Sequence, residues 1–254
     1  MDDIEQLNKE ELKEYLDFKS KQYNTQDFIA TDPIQIPHQF TRKEDVEIVS
    51  FLVSTIAWGK RAMIIKSGER LLEIMNHSPY DFIINYSSID ISFVHRTFNA
   101  IDLDFFFRSL KNIYEKGGLE KAFSPHPDFD GVKGRIIQFR TLFLETEHEK
   151  RSEKHLSNPA KNSAAKRINM FLRWMVRNDQ CGVDFGIWHS IPQRELYLPL
   201  DVHTSNNARA LGLLTRKQND WKALDELMLN LQEFDSSDPV KYDFALFGIG
   251  AFEK

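Results

Sequence analysis

The chain has 254 residues, 41% of them hydrophobic, and a formal charge of −5. That is enough apolar content for a sizeable core, in one large domain or two small lobes. Its single cysteine, Cys181, excludes an intramolecular disulfide framework and any four-cysteine iron–sulfur or zinc site.

In chain order, the start MDDIEQLNKEELKEYL is acidic and helical, with no basic n-region or apolar h-region. No run of about 18 apolar residues follows, so a membrane span is not expected and a soluble, cytoplasmic protein is. Leu12, Tyr15, Leu16 and Lys19 fall at helical spacing, which predicts a surface helix over Asn8–Lys21 started by Asn8. Pro33 and Pro37 predict an extended connector over Phe28–Phe40. Asp45–Ala57 is apolar on nearly all sides, the pattern of a helix at the centre of a core. Gly59 then breaks the period, giving a corner at Ala57–Arg61 before a second helix, Arg61–Asn76. Further helices are expected at Pro79–Tyr86, at the aromatic stretch Asp104–Lys116 ending on Gly117–Gly118, and at Gly131–Thr146. Glu147–Asn162 reads as a polar surface loop. Asn162 or Ser163 is expected to cap a helix over Ala164–Arg177. An irregular connection, Cys181–Leu198, leads to helices at Asp201–Leu211, Trp221–Phe234 and Pro239–Phe247. No stretch alternates convincingly as a strand, so the fold class is all-α.

Charge is unevenly spread. Lys150, Arg151, Lys154, Lys161, Lys166, Arg167, Arg173 and Arg177 stand against one acid, Glu153, between positions 150 and 177, whereas Met1–Asp32 is acidic. A basic face on an acidic protein suits a polyanion; the other reading of such a run is a solvated helix surface.

Two residues carry the candidate chemistry. Asp201 ends the apolar run Tyr197–Leu200 and enters a helix. It reads either as an N-cap or as a carboxylate held rigidly at a cleft, able to support an electron-poor sugar. Lys166 lies near the border of the apolar face formed by Ile168, Phe171, Leu172 and Met175. It reads either as a surface lysine or as a nucleophile, which needs partial desolvation or a neighbouring cation such as Arg167, because the free amine titrates near about 10.4.

P-L-D-V-H-T-S-N-N-A-R-A-L-G-L (199–213) resembles the signature of the helix-hairpin-helix base-excision DNA glycosylases, where a [PV]-[VL]-D-[VT]-H segment leads a helix. D-P-V-K-Y-D-F-A-L-F-G-I-G (238–250) resembles the final helix of the 8-oxoguanine glycosylase branch, and 54–72 its early helix–corner–helix. The chain is also similar to an uncharacterised bacterial family allied to that superfamily, in which S-A-x-K-R-[IL]-N-x-F-L-R-W-M-V-R is typical. The resemblance implies a two-lobed helical fold with a cleft between lobes of roughly 45–150 and 1–44 plus 151–254. It implies a monomeric DNA-repair enzyme without a cofactor, acting on damaged double-stranded DNA with an oxidised purine such as 8-oxoguanine. Lys166 would attack the anomeric carbon and form a Schiff base, with AP-lyase activity, and Asp201 would support it. His203 would contact a phosphate, Phe247 would stack on the extruded base, Asp243 would reach the base edge, and Trp58 would fill the gap in the duplex. Lys161, Ser163 and Arg167 would hold the DNA backbone. On the residues alone, Phe247 and Trp58 also read as core aromatics and His203 as a locally bonded helix-start histidine. The family's L-P-G-[IV]-G hairpin has no glycine in the matching H-L-S-N-P-A-K-N-S-A-A-K. Two competing readings are a non-catalytic nucleic-acid-binding protein that keeps the scaffold, and a metal-dependent hydrolase, against which no H-x-x-x-H or H-E-x-x-H pairing is found.

Overall fold

The computed structural model describes residues 7–253; the acidic, helical reading of residues 1–6 lies outside them. The chain is mostly helical, 61% helix and 2% strand, and divides into two compact units. One is formed by Ile29–Asn158, the other by Met1–Phe28 with Pro159–Lys254.

The Ile29–Asn158 unit is built on α3 (Lys43–Thr55), whose residues from Val46 to Thr55 are all buried. A helix with no polar face must be covered all round. Covering it are two 3₁₀ turns (Pro33–Gln35, Pro37–Gln39), α4 (Arg61–Ile74) and α5 (Pro79–Ile84). Around α6 (Ala100–Glu115) gather α7 (Leu119–Ala122) and α8 (Gly131–Phe143). Phe51 of α3 is the hub of the aromatic core: its ring lies 5.8 Å from Phe106, 5.3 Å from Phe139 and 5.4 Å from Phe143. The one polar side chain deep on α3 that carries charge, Glu47, accepts a hydrogen bond from the Tyr114 hydroxyl at 2.7 Å.

Four expectations are corrected, all in this unit except for the turn Pro159–Lys161, which belongs to the other. Pro33 and Pro37 do not extend the chain. Each occupies the first position of a 3₁₀ turn, where a missing N–H costs nothing. The Glu147–Asn162 loop is partly ordered: Lys150–His155 and Pro159–Lys161 are 3₁₀ turns, with Ser152 and His155 buried. A strand pair is also present, β1 (Val94–His95) with β2 (Phe98–Asn99), antiparallel and too short to leave an alternating signal. The helix α6 starts four residues earlier than its apolar pattern, because Asn99 and Asp102 form a capping box.

In the other unit, α1 (Lys9–Tyr23) and α10 (Val202–Ala210) both pack on the apolar α12 (Tyr242–Phe252). Asn8 caps α1 by accepting from the amides of Glu10 and Glu11, at 2.9 and 3.1 Å. Two glycines permit the close approach: the Tyr23 ring occupies the space a Cβ at Gly248 would need, and Asn207 with His203 does the same at Gly250. The unit also contains α9 (Lys166–Val176), α11 (Trp221–Phe234) and the short α2 (Gln26–Ile29), which crosses the unit boundary.

Candidate functional site

The site is built where α9 and α10 begin. Buried Leu196, Leu198 and Leu200 anchor the strand-like run before α10, which fixes where Asp201 emerges. Asp201 caps α10: its Oδ1 accepts from the Thr204 amide at 2.8 Å. Lys166 Nζ lies 3.7 Å from its other oxygen, Oδ2. The Lys166 side chain is 35% exposed and that of Asp201 15%, so the pair is partly shielded yet reachable.

Neither Asn162 nor Ser163 caps α9 in the expected way. The helix begins at Lys166 after Ala165, which adopts the left-handed conformation (φ +48°) and offers no side-chain cap. Asn162 is left-handed as well (φ +66°). Such angles are uncommon without glycine and persist only when neighbours impose them. Here they do. The Asn162 side chain donates to Asp220 at 2.8 Å, its carbonyl accepts from the Trp221 amide at 3.0 Å, and Ser163 Oγ accepts from the Ala165 amide at 3.3 Å. Asn169, buried one turn into α9, donates to the Ala164 carbonyl at 3.0 Å. The backbone that carries Lys166 is therefore tied to the start of α11 and to its own helix.

Beneath the pair runs a buried ladder of charge. Arg173 Nε donates to Asp184 at 3.1 Å and its guanidinium also pairs with Asp243. Arg177, one turn on, donates to the other oxygen of Asp184 at 3.1 Å and to both oxygens of Asp238. Burial disfavours the Arg177 cation, but Asp184, Asp238 and Asp179 around it more than offset this, and its pKa is raised. Asp243 has the opposite balance. Burial pushes its carboxyl up to about 7, the Asp201 and Asp184 carboxylates add to this, and Arg173 and Lys166 oppose it. Asp243 thus stands behind the Lys166–Asp201 pair, bonded to Arg173, and not at an exposed edge where a base would be read.

The remaining candidates are more scattered. His203 and Phe247 are half-buried and meet edge to face, ring centres 6.2 Å apart; Phe247 also contacts Phe28 at 6.3 Å. Lys161 is exposed, Ser163 half-buried. Arg167 is half-buried, and loss of solvent brings its pKa down to about 10. Trp58 belongs to the other unit, at the corner after α3. His95 donates from Nε2 to the Trp58 carbonyl at 3.2 Å, and the indole stacks on His155 with ring centres 6.0 Å apart. His155 in turn lies 3.3 Å from the fully buried Asp102.

The basic run 150–177 is not one face. Lys150, Arg151 and Lys154 lie in the Ile29–Asn158 unit, and Arg151 donates to Asp102 at 3.1 Å. Arg173 and Arg177 are buried in the other unit, neutralised by aspartates distant in sequence. A count of charges along the chain registers neither fact. Sequence reasoning missed Asp184 and Asp238 altogether. The signal was present in arginines spaced four apart on the apolar side of α9, since an arginine is rarely buried without a partner. Among the described residues, no group of three or more His, Cys, Asp or Glu side chains is disposed to hold a metal ion, and no helix is long and apolar enough to cross a membrane.

Residues 32–252 match the model of a family described as "Protein of unknown function (DUF2400)", and the chain belongs to that family. No curated protein and no solved structure matches it.

Proposed function

We propose that this DUF2400 member is a DNA-repair glycosylase of the helix-hairpin-helix kind, with AP-lyase activity, acting on an oxidised purine such as 8-oxoguanine in damaged double-stranded DNA. The reading includes the two-lobed glycosylase-like fold with a cleft between lobes. One observation carries it: Lys166 and Asp201, far apart in sequence, bring an amine and a carboxylate within 3.7 Å of each other at the starts of two helices.

The chemistry follows from those two groups. The neutral Lys166 amine attacks the anomeric carbon of an extruded nucleotide. The glycosidic bond breaks and the base leaves with its electron pair, taking up a proton. Asp201 stabilises the positive charge that develops on the sugar and then on the iminium. Opening of the sugar ring gives a Schiff base to Lys166, from which elimination of the 3′ phosphate is the lyase step, and water releases the lysine. Removing a base from the stack costs a few kcal/mol, which aromatic stacking on a side chain such as Phe247 offsets. His203, two residues after Asp201, is suited to a phosphate, and Trp58 to the gap left in the duplex. Lys161, Ser163 and Arg167 are suited to the DNA backbone near the start of α9, where free amides favour anions.

A second reading has its own observation. Asp201 is a hydrogen-bonded N-cap, which is a sufficient structural reason for the residue, and a non-catalytic nucleic-acid-binding protein retaining this scaffold needs nothing more. The two separate in a base-release assay on an 8-oxoguanine duplex. The glycosylase reading expects release by the wild type and none by Lys166→Gln or Asp201→Asn. Asn caps a helix as well as Asp does, so Asp201→Asn is expected to keep its fold. Binding that weakens steeply with salt, without base release, supports the second reading.

A further inference from the structure

Asp243 is the most buried acid next to the Lys166–Asp201 pair, and the mechanism above gives it no task. It is 4% exposed, on the first turn of α12, and each of its oxygens has a partner. Oδ2 is paired with the Arg173 guanidinium; Oδ1 accepts a long, weak hydrogen bond, 3.5 Å, from Thr204 Oγ1. Thr204 is itself fully buried and is the residue whose amide fixes the Asp201 carboxylate. A path of contacts therefore runs from Lys166 through Asp201 and Thr204 to Asp243, and from there through Arg173 to Asp184.

We propose that Asp243 is a positioning residue for the Lys166–Asp201 pair: its Arg173-bound carboxylate holds Thr204, and with it Asp201, and its buried negative charge keeps the Lys166 amine engaged. The proposal deepens the glycosylase reading and rests on it for the meaning of Lys166, but its geometry stands apart from any DNA. The groups facing Asp243 come from two elements and a loop: Lys166 and Arg173 from α9, Asp201 and Thr204 from the start of α10, and Asp184 from the connection after α9. From α1, packed on another side of α12, Asp17 turns to Tyr242 and Lys241, and Lys19 to Glu253. Asp243 is thus the acid on α12 whose proton is felt at the pair. When it binds a proton, the Arg173 pairing weakens, the hold on Thr204 loosens, and the amine loses an anionic neighbour.

The test is reductive methylation of the full chain with formaldehyde and cyanoborohydride, read by peptide mass spectrometry as the labelling of Lys166 relative to the exposed Lys66. In the wild type the ratio is expected to rise several-fold as pH falls from about 8 to about 6, through the titration of Asp243. In Asp243→Asn the ratio is expected to be high and flat across that range. Thr204→Val, close in shape and lacking only the hydroxyl contact, is expected to raise it to a smaller extent, and serves if Asp243→Asn does not fold. A wild-type ratio without a step, equal in both variants, overturns the proposal. A lesion-duplex adduct measured in parallel separates the two ideas. Adducts with unchanged ratios overturn the positioning role and leave the glycosylase reading intact. Shifted ratios without adducts uphold the positioning role and sink the glycosylase reading.

Discussion

At the scale of single residues, the fold and the chemistry disagree over Asp243. A carboxyl buried between two other carboxylates and one guanidinium is pushed up to about 7. The folded chain therefore keeps a proton that the unfolded chain gives up near its ordinary value of about 3.8, and stability must fall as pH rises through that window. Asparagine carries no such term. Urea titrations at about pH 5 and pH 8 are expected to show the wild type losing roughly 2 kcal/mol relative to Asp243→Asn, because each unit of displaced titration is worth about 1.4 kcal/mol. Parallel stabilities at the two pH values would refute a raised titration at the buried acid. Asp201 is the contrasting case. The sequence allows it to be a cap or a reactive carboxylate, and it serves the first role with Oδ1 while Oδ2 faces Lys166. A capping carboxylate has two oxygens, so one motif meets both demands.

At the scale of elements, the helices of the core are the most legible part. Trp221–Phe234 follows from sequence to its limits, because Asp220 caps it, accepting from the Ala223 amide at 3.1 Å, and its apolar face is continuous. The start of α9 is not legible. Its geometry depends on left-handed turns at Asn162 and Ala165, imposed by Asp220, Trp221 and Asn169, and no local pattern announces a turn held from so far along the chain. The charge ladder escapes for the same reason: Arg173 and Arg177 find their acids up to 70 residues away. Two predictions belong here. Gly248→Ala sets a methyl against the Tyr23 ring and is expected to destabilise the α1–α12 packing by about 1–3 kcal/mol in denaturant melts. An unchanged midpoint would show that the ring moves aside freely. Phe51→Ala empties the aromatic hub of the Ile29–Asn158 unit and is expected to cost about 3–5 kcal/mol; a loss below about 1 kcal/mol would mean that the neighbouring rings close over the void.

At the scale of the whole molecule, net charge is a poor guide and its local pairing a better one. The basic run that suggests a polyanion face is divided between two units, and its last two arginines are internal. Of the rest, Lys161 immediately precedes the turn into α9, and Lys166 and Arg167 open that helix. Membership of a family of unknown function, matched over residues 32–252, sets the extent of the shared fold but leaves its chemistry to the residues. The glycosylase proposal stands on Lys166 acting as a nucleophile toward a sugar carbon. Borohydride trapping on a duplex containing 8-oxoguanine tests it most directly. The expected result is a covalent protein–DNA adduct that maps to the Lys166 peptide and vanishes in Lys166→Ala. An adduct that persists in Lys166→Ala, or no adduct across a panel of oxidised purines with the folded wild type, would contradict it.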